Sequence, residues 1–401
     1  MPQRCAPGRY FPLRHVASHF ALARTISPLS PFLQRGCNFF DIRLDYFSAP
    51  AMLSYDVVEW GQPLERVERK TPIPTGAEVL LKLKYCGVCH SDAHIRDGYF
   101  ELGGGKRLLM SERGMRPPVT LGHEPLGTVI SAGPEAVNAP IGQDRLVYPW
   151  IGCGACTRCG EGLDQYCMEP QMIGIQRRGG YADHLIVPHA RYLIDAAGID
   201  PLWAATLSCS GLSSYAAVSK LRPIPVEEWI AVIGAGGLGL SAVGMLRAIG
   251  HQRIVAVDID RDKLATAEKA GAAATLNTRE GEPELELKRI TNHALFGAID
   301  FVGAAETAQL VISSLRKGGR LILVGLFGGE IPLSIAGTIL RAITVQGSHL
   351  GSLEELKTVI GLARARKIKP IPIEKRDFSD LNRTLDQLKS GSVTGRVVIA
   401  I

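Results

Sequence analysis

No apolar run in the chain is long enough to span a membrane. The best candidate, residues 229–250, is broken by glycines and holds a nucleotide-type turn, so a buried strand and helix explain it. There is no block of lysines and arginines, and no finger-type spacing of two cysteines with two histidines. The net charge of +6 is then weak support for nucleic-acid binding, and neither nucleic acid nor membrane is an expected partner. Acid is missing altogether from the first 40 residues. Arg4, Arg9, Arg14, Arg24, Arg35 and Arg43 face only Asp41 and Asp45, and the segment lacks the apolar core of a secretory signal. An organellar transit peptide has such a composition. We read residues 1–51 instead as an extension, flexible or a non-native start, because Met52 opens a run with the look of a natural beginning. The expected location is the cytoplasm.

What is present points to two domains and a metal. The chain has 401 residues, 46% of them hydrophobic, enough for two cores. Four of its nine cysteines fall in one stretch, Cys153-x2-Cys156-x2-Cys159-x7-Cys167. That spacing reads as metal ligation in a reducing compartment rather than as a disulfide framework. Two-residue gaps bring the sulfurs around one ion, and Gly154, Gly160 and Gly162 permit the turns. An iron–sulfur cluster shares the first three spacings. Here the fourth cysteine comes seven residues later with no proline after it, so structural zinc with four thiolates is expected.

Residues 52–90 read as short strands, and 91–121 as a helix start followed by a long loop, since Gly103-Gly104-Gly105 and Pro117-Pro118 oppose regular structure. Further strands run through PLGTVISAG, DRLVYPW and YADHLIVP, suggesting a partly closed, barrel-like β domain. From about residue 205 the texture becomes alternating strand and helix, the mark of a parallel sheet covered on both faces. Gly234-x-Gly236-x-x-Gly239 follows the strand WIAVI and opens a helix, and Asp258 ends the next strand. In that context the motif is a dinucleotide site. Gly234 makes the turn, Gly236 admits the pyrophosphate, Gly239 lets the helix pack closely, and Gly237 and Leu238 lie inside the turn. Asp258 suits ribose hydroxyls and opposes a 2′-phosphate, which favours NAD, although Arg261 is nearby. The tail from Gly347 holds two amphipathic helices and ends in the strand GRVVIAI, which could rejoin the first sheet.

The motifs GVCHSDAH, GHEPLG, the four-cysteine lobe and VIGAGGLG stand in the order found in zinc-dependent medium-chain (MDR) alcohol dehydrogenases, and the resemblance covers residues 52–401. It implies an α/β protein: a GroES-like β-rich catalytic domain over 52–209, an inserted Rossmann doubly wound parallel sheet domain over 210–346, and a return to the catalytic domain over 347–401. It implies a catalytic zinc on Cys89, His123 and Cys209, giving two zinc ions per chain with the lobe. Alone, Cys209 would read as a buried small hydrophobe and His123 as a turn residue. By the same resemblance Glu124 approaches or tunes the metal, and Asp92 takes the other ring N–H of His123. Ser91 and His94 match positions that relay the alcohol proton, Lys263 matches a ribose contact, and Arg396 a phosphate contact. Cys86 reads as strand packing.

The implied reaction is reversible hydride transfer between a primary or secondary alcohol and NAD, giving an aldehyde or ketone and NADH. Alternatives are a polyol, threonine or formaldehyde dehydrogenase of the same family, or a non-catalytic redox-sensing relative. Tyr99, Phe100, Tyr148, Trp150 and Leu212 are candidate pocket residues, while Lys106, Arg107, Arg113 and Arg116 could steer an acidic substrate but read first as a solvated patch. By analogy a homodimer or homotetramer forms through the edge of the nucleotide sheet near residues 330–350.

Overall fold

The computed structural model describes residues 51–401, so the extension expected over 1–51, with Cys5 and Cys37, lies outside the described residues except for Ala51. In the first third, apolar positions alternate along extended runs and form strands. These are β1 (Ala51–Val57), β2 (Glu65–Lys70) and β3 (Val79–Val88), followed by helix α1 (His90–Asp97). The helix start expected in 91–121 is α1, and the long loop expected after it holds a hairpin of β4 (Tyr99–Gly103) and β5 (Lys106–Leu109). Gly103 and Gly104 take φ of +89° and +56°, the left-handed backbone that reverses two strands in few residues. The glycine cluster builds the turn of regular structure rather than preventing it.

The chain continues through β6 (Val119–Thr120), β7 (Glu124–Ala132) and β8 (Asp144–Val147). The cysteine lobe follows, with only a short turn of helix α2 (Thr157–Gly160), and then β9 (His184–Val187) and β10 (Leu193–Ile194). Helix α3 (Pro201–Thr206) starts on Asp200, whose carboxylate accepts the N–H groups of Leu202 and Trp203. A π-helical turn, Leu207–Gly211, separates it from α4 (Leu212–Lys220).

Strand and helix then alternate: β11 (Trp229–Ile233), α5 (Gly237–Ala248), β12 (Ile254–Asp258), α6 (Arg261–Ala270), β13 (Ala274–Asn277), α7 (Pro283–Ile290), β14 (Leu295–Asp300), α8 (Ala305–Ser314), β15 (Leu315–Leu323), α9 (Ile335–Arg341) and β16 (Thr344–Gly347). Their strands form one parallel sheet in the order β13-β12-β11-β14-β15-β16. Ile230, Ala231, Val232 and Ile233 are all buried, as a strand covered on both faces must be. The order reverses between β11 and β14, and such a switch point opens a crevice at the carboxyl ends of the strands.

The tail supplies α10 (Leu353–Arg364), β17 (Ile373–Asp377), α11 (Leu381–Lys389) and β18 (Arg396–Ala400). Strand β18 pairs antiparallel with β3, Val397 opposite Val88 and Ile399 opposite Cys86, and parallel with β17. The last strand thus returns to the first large sheet, and the parallel sheet is an insertion in the chain between them. Among the described residues no helix is long and apolar enough to cross a membrane.

A buried carboxylate ties β1 to the segment before His123. Asp56 is fully buried, and its Oδ1 accepts the hydroxyls of Ser54 (2.9 Å) and Thr120 (2.7 Å). Its Oδ2 pairs with Arg69 and, at 3.2 Å, with Arg178. Burial pushes Asp56 up, but Thr120, Arg69 and Ser54 together hold it below the ordinary carboxylate range. A depressed folded-state pKa gives stability that is present above about pH 4 and lost as pH falls through the lowered value. Asp56→Ala is expected to cost about 2 kcal/mol, because it leaves the buried hydroxyls of Ser54 and Thr120 without their acceptor and the partly buried Arg69 without its partner. Urea unfolding at pH 7 measures that loss, and repeating it at falling pH should show the gap between wild type and variant shrinking below about pH 4.

Candidate active site

Three distant segments deliver sulfur and nitrogen to one point. Cys89 follows β3 and caps the N-terminus of α1, His123 immediately precedes β7, and Cys209 sits in the π-helical turn. An extra residue in a helical turn re-aims side chains, and such turns recur at functional sites. One ligand atom from each of Cys89, His123, Glu124 and Cys209 lies within 4.8 Å of the others, and all four residues are buried. The two sulfurs are 3.9 Å apart. Two thiolates on one tetrahedral zinc stand about 3.8 Å apart at ordinary bond lengths of about 2.3 Å, so the gap fits that ion. His123 Nε2 has no hydrogen-bond partner among the described residues, unusual for a buried ring nitrogen and apt for a ligand.

Charge on the three donors is arranged from behind. Asp92, fully buried on α1, accepts Cys89 N–H (3.0 Å) and the Tyr181 hydroxyl (2.8 Å), and its Oδ1 lies 3.2 Å from His123 Nδ1. The Nδ1 contact is at ion-pair range but off a good hydrogen-bond line. It faces Nε2 away, toward the sulfurs. A hydrogen bond from Cys209 draws Cys89 well below the ordinary thiol range despite burial, and the same contact pushes Cys209 well above it. Two buried thiols sharing one proton are poised for a cation that takes both as thiolates. Ser91 Oγ donates to Cys89 Sγ at 3.0 Å. Cys86 is wholly buried beside Pro125 and Gly180, with burial pushing its thiol far up, as a packing residue should be.

Glu124 points into the same cluster. Its Oε1 accepts from Arg396 Nη2, its Oε2 has no hydrogen-bond partner, and burial pushes it up to about 7 against the pull of Arg396. Arg396 reaches this place because β18 runs beside β3. The other flank of its side chain packs on Gly237. The residue expected at a cofactor phosphate therefore also neutralises the carboxylate at the metal cluster.

The glycine turn meets its steric demands. Gly234 has φ +88°, and a Cβ on Gly239 would stand 1.8 Å from the Gly234 carbonyl oxygen, so no larger residue fits where α5 crosses β11. Asp258 Oδ2 accepts Ala235 N–H at 2.7 Å, and its Oδ1 accepts Ile259 N–H. Arg261 is engaged with Glu280 at 2.8 Å rather than turned to the site. Lys263 Nζ donates to the Gly391 carbonyl at 2.7 Å.

A single cleft of about 760 Å³ contains both halves. Cys89, His123 and Cys209 line one part, and Gly234, Gly236, Gly237, Leu238, Gly239, Asp258, Lys263 and Arg396 line the other. Ser91 and His94 also face it. Burial and the neighbouring His90 hold His94 below the ordinary histidine range, so it is neutral at pH 7. Sequence reading passed over His90, which faces the cleft where Arg396 and Lys263 add positive charge; its place in GVCHSDAH was the available signal. Of the candidate pocket residues, Phe100 and Trp150 line the cleft, and Trp150 lies 5.1 Å from the His123 ring. The other three do not. Tyr148 donates to the Gly351 carbonyl in the core, Leu212 packs against Gly351, and Tyr99 lies under Arg107.

The lobe forms a second cluster. The sulfurs of Cys153, Cys156, Cys159 and Cys167 all lie within 4.8 Å of one another and none is in a disulfide. Cys156 Sγ is 3.6 Å from that of Cys159 and 3.8 Å from that of Cys167, again the spacing of thiolates around one ion. Backbone N–H groups of Ala155 and Cys156 lower Cys153 to about 7, while burial lifts Cys159 to about 12. Asp164, absent from the sequence reading, anchors the lobe by accepting from Arg191 (3.0 Å) and Tyr192 (3.2 Å). Past the lobe the chain runs on to Met172 and Ile175, which form a wall of the cleft.

Residues 75–197 match the family profile of the alcohol dehydrogenase GroES-like domain, and residues 237–365 that of the zinc-binding dehydrogenases. The NAD-dependent alcohol dehydrogenase of Saccharolobus solfataricus is 34% identical over 349 residues, spanning 87% of this chain and 99% of that protein. The chain belongs to the zinc-dependent alcohol dehydrogenase family. Among solved structures, the alcohol dehydrogenase of Aeropyrum pernix superposes with TM-score 0.79 at 27% identity, covering 87% of this chain and 100% of that one. The D-arabinose dehydrogenase of Sulfolobus solfataricus gives TM-score 0.73 at 26% identity, covering 88% and 100%. The α/β architecture, a GroES-like part joined to a parallel-sheet Rossmann part, is that of this family.

Two cysteines and a histidine with an open position are a known catalytic zinc set, alcohol dehydrogenase being the standing example. Asp92 is the group that orients two of the three. Asp92→Asn should lower zinc affinity at this site about 10- to 100-fold, the usual effect of removing a carboxylate behind a metal-bound histidine. Competition against a chromogenic chelator reads this directly: one ion should leave early in the variant while the lobe ion is retained.

Proposed function

We propose that the protein is an NAD-dependent, zinc-assisted dehydrogenase that interconverts an alcohol with its aldehyde or ketone, holding two zinc ions per chain. One observation carries this reading: the Cys89–His123–Cys209 cluster and the glycine turn of the nucleotide site open into the same cleft. When bound, the zinc supplies Lewis acidity toward the substrate oxygen and the nicotinamide supplies the hydride acceptor or donor.

The chain's own residues do the rest. Cys89, His123 and Cys209 hold the ion and leave a face toward the cleft, while Asp92 fixes the His123 ring. Gly234, Gly236, Gly237, Leu238 and Gly239 cradle the pyrophosphate at the N-terminus of α5, where the helix end favours anions. Arg396 and Lys263 add positive charge there, His90, held below the ordinary histidine range by burial, offers a neutral ring beside them, and Asp258 takes the ribose hydroxyls. Engagement of Arg261 by Glu280 leaves Asp258 to dominate, which supports NAD over its 2′-phosphorylated form. Ser91 and His94 lie three residues apart on α1, hence on one face of the helix, and carry the alcohol proton from the cleft toward water. The closed four-cysteine lobe keeps the Met172–Ile175 wall in place. Apolar walls at Phe100, Trp150, Met172 and Ile175 favour an alcohol with a hydrocarbon body over a polyol.

Reduction of NAD with a panel of alcohols, followed at the NADH absorbance band, tests the activity. Turnover should vanish on chelation and return with zinc. Cys209→Ser should hold one ion per chain by elemental analysis and show at least about a 10²-fold lower rate, a loss of the size expected when a catalytic Lewis acid is removed. A metal-loaded wild type that turns over no alcohol would refute the reading and leave the redox-sensing alternative.

We also infer a homo-oligomer. Strand β16 is an edge of the parallel sheet, and Ile335, Ile339 and Leu340 of α9 beside it are 79%, 70% and 73% exposed. A contiguous apolar surface of this kind marks an interface. Sedimentation should find a dimer or larger species, and the double substitution Ile339→Glu with Leu340→Glu should yield monomer; a monomeric wild type would contradict the inference.

A further inference from the structure

The basic cluster read from sequence as one solvated patch is divided in space. Lys106 reaches toward Glu330 at 3.9 Å, Arg107 pairs with Glu101 at 2.9 Å, and Arg116 is exposed. Arg113 is different: it is half-buried and lines the cleft. Its guanidinium has no hydrogen-bond acceptor, carboxylate or ring partner among the described residues. A guanidinium keeps its charge at any working pH, so a half-buried one whose N–H groups meet only the open cleft is placed to take an anion that enters it. The cleft itself supplies none to it. Asp258 is the one carboxylate among the lining residues, and it sits at the glycine turn with its oxygens on backbone N–H groups.

Arg113 belongs to the metal half of the cleft. Its backbone carbonyl accepts from Gln176 Nε2 at 3.3 Å, and Gln176 Oε1 accepts Met172 N–H at 3.2 Å. Ile173 N–H bonds the Pro149 carbonyl at 2.9 Å, and the next residue, Trp150, packs against His123. The Arg113 N–H bonds the Met110 carbonyl at 3.1 Å, so the segment is fixed. His349, on the segment following β16, also lines the cleft. Burial, with Arg113 and Lys220 nearby, lowers it to about 4, so at pH 7 it is a neutral hydrogen-bonding group in a positive field.

We propose that Arg113 binds a carboxylate on the substrate, and that the alcohol taken by this site is a hydroxy acid with an apolar chain between its two ends. The proposal rests on the dehydrogenase reading above. The reaction stays the same and balances: hydroxy acid and NAD⁺ give oxo acid, NADH and a proton. A single planar fork with neutral His349 beside it matches the charge and shape of a carboxylate better than a phosphate dianion. The walls Phe100, Trp150, Met172 and Ile175 accommodate the chain.

The test compares 6-hydroxyhexanoate, its methyl ester and 6-hydroxyhexyl phosphate as substrates of the zinc-loaded full chain at saturating NAD. Wild type should favour the acid over the ester by at least about tenfold in kcat/KM, the size of one charge-assisted contact. Arg113→Gln should bring that ratio to near one, and Arg113→Lys should keep part of it. Calorimetry of hexanoate against hexanamide on the enzyme with NADH gives a reading independent of turnover: hexanoate should bind, and Arg113→Gln should abolish the difference. Equal rates for acid and ester in wild type, a preference that survives in Arg113→Gln, or preference for the phosphate would each overturn the proposal. An Arg113→Gln effect confined to the KM for NAD would overturn it too, since the guanidinium would then serve the cofactor. Arg113-dependent hexanoate binding without turnover of any alcohol would support the anion site and refute the dehydrogenase reading instead.

Discussion

The site depends on three buried donors meeting from positions 89, 123 and 209. Packing two thiols 3.9 Å apart beside an imidazole, with no polar partner for its Nε2, is unfavourable unless a cation joins them. The fold spends much of its specificity on enforcing that arrangement. Strand β3 delivers Cys89, the turn before β7 delivers His123, and a π-helical turn displaces Cys209 toward them. Asp92 joins the first two by bonding one backbone and facing the other's ring. Trp150 joins the second and third, packing on His123 while its Nε1 donates to the Ser208 carbonyl at 2.9 Å.

Electrostatics link this point to the rest of the cleft. Arg396 pairs with Glu124 on one side and packs on Gly237 on the other, so one buried cation touches both the metal cluster and the nucleotide turn. It can do so only because the final strand returns to the first sheet after the whole parallel sheet has been inserted. The two ends of the cleft thus differ in character. The end with the glycine turn has Asp258 beside two cations, Lys263 and Arg396. The end with Cys89, His123 and Cys209 has apolar walls and a cation, Arg113, with no counter-charge among the described residues.

How much of this was legible in sequence follows from how local each feature is. The glycine turn, the strand before it and Asp258 after it lie within one βαβ unit, so periodicity and spacing sufficed. The four lobe cysteines sit within fifteen residues, so their spacing alone suggests a shared ion, and their sulfurs do converge. Cys89 and Cys209 are 120 residues apart, and no local pattern joins them; the ordered set of motifs did so by resemblance. The triple glycine at 103–105 looks like a breaker in sequence because its left-handed φ values serve a hairpin that only strand partners reveal. Tyr148 and Leu212 lie near the motifs in sequence, yet their side-chain direction is decided by packing against Gly351. Arg113 looked like its basic neighbours in sequence, and only burial and the absence of a partner set it apart.

The central claim is that Cys89, His123 and Cys209 share one zinc facing the nicotinamide. Anomalous diffraction at the zinc absorption edge from crystals of the zinc-loaded protein tests it most directly. The account predicts one peak about 2.3 Å from both Cys89 Sγ and Cys209 Sγ and about 2.0 Å from His123 Nε2, besides a peak in the lobe. A peak in the lobe alone, with Cys89 and Cys209 left as thiols, would contradict it.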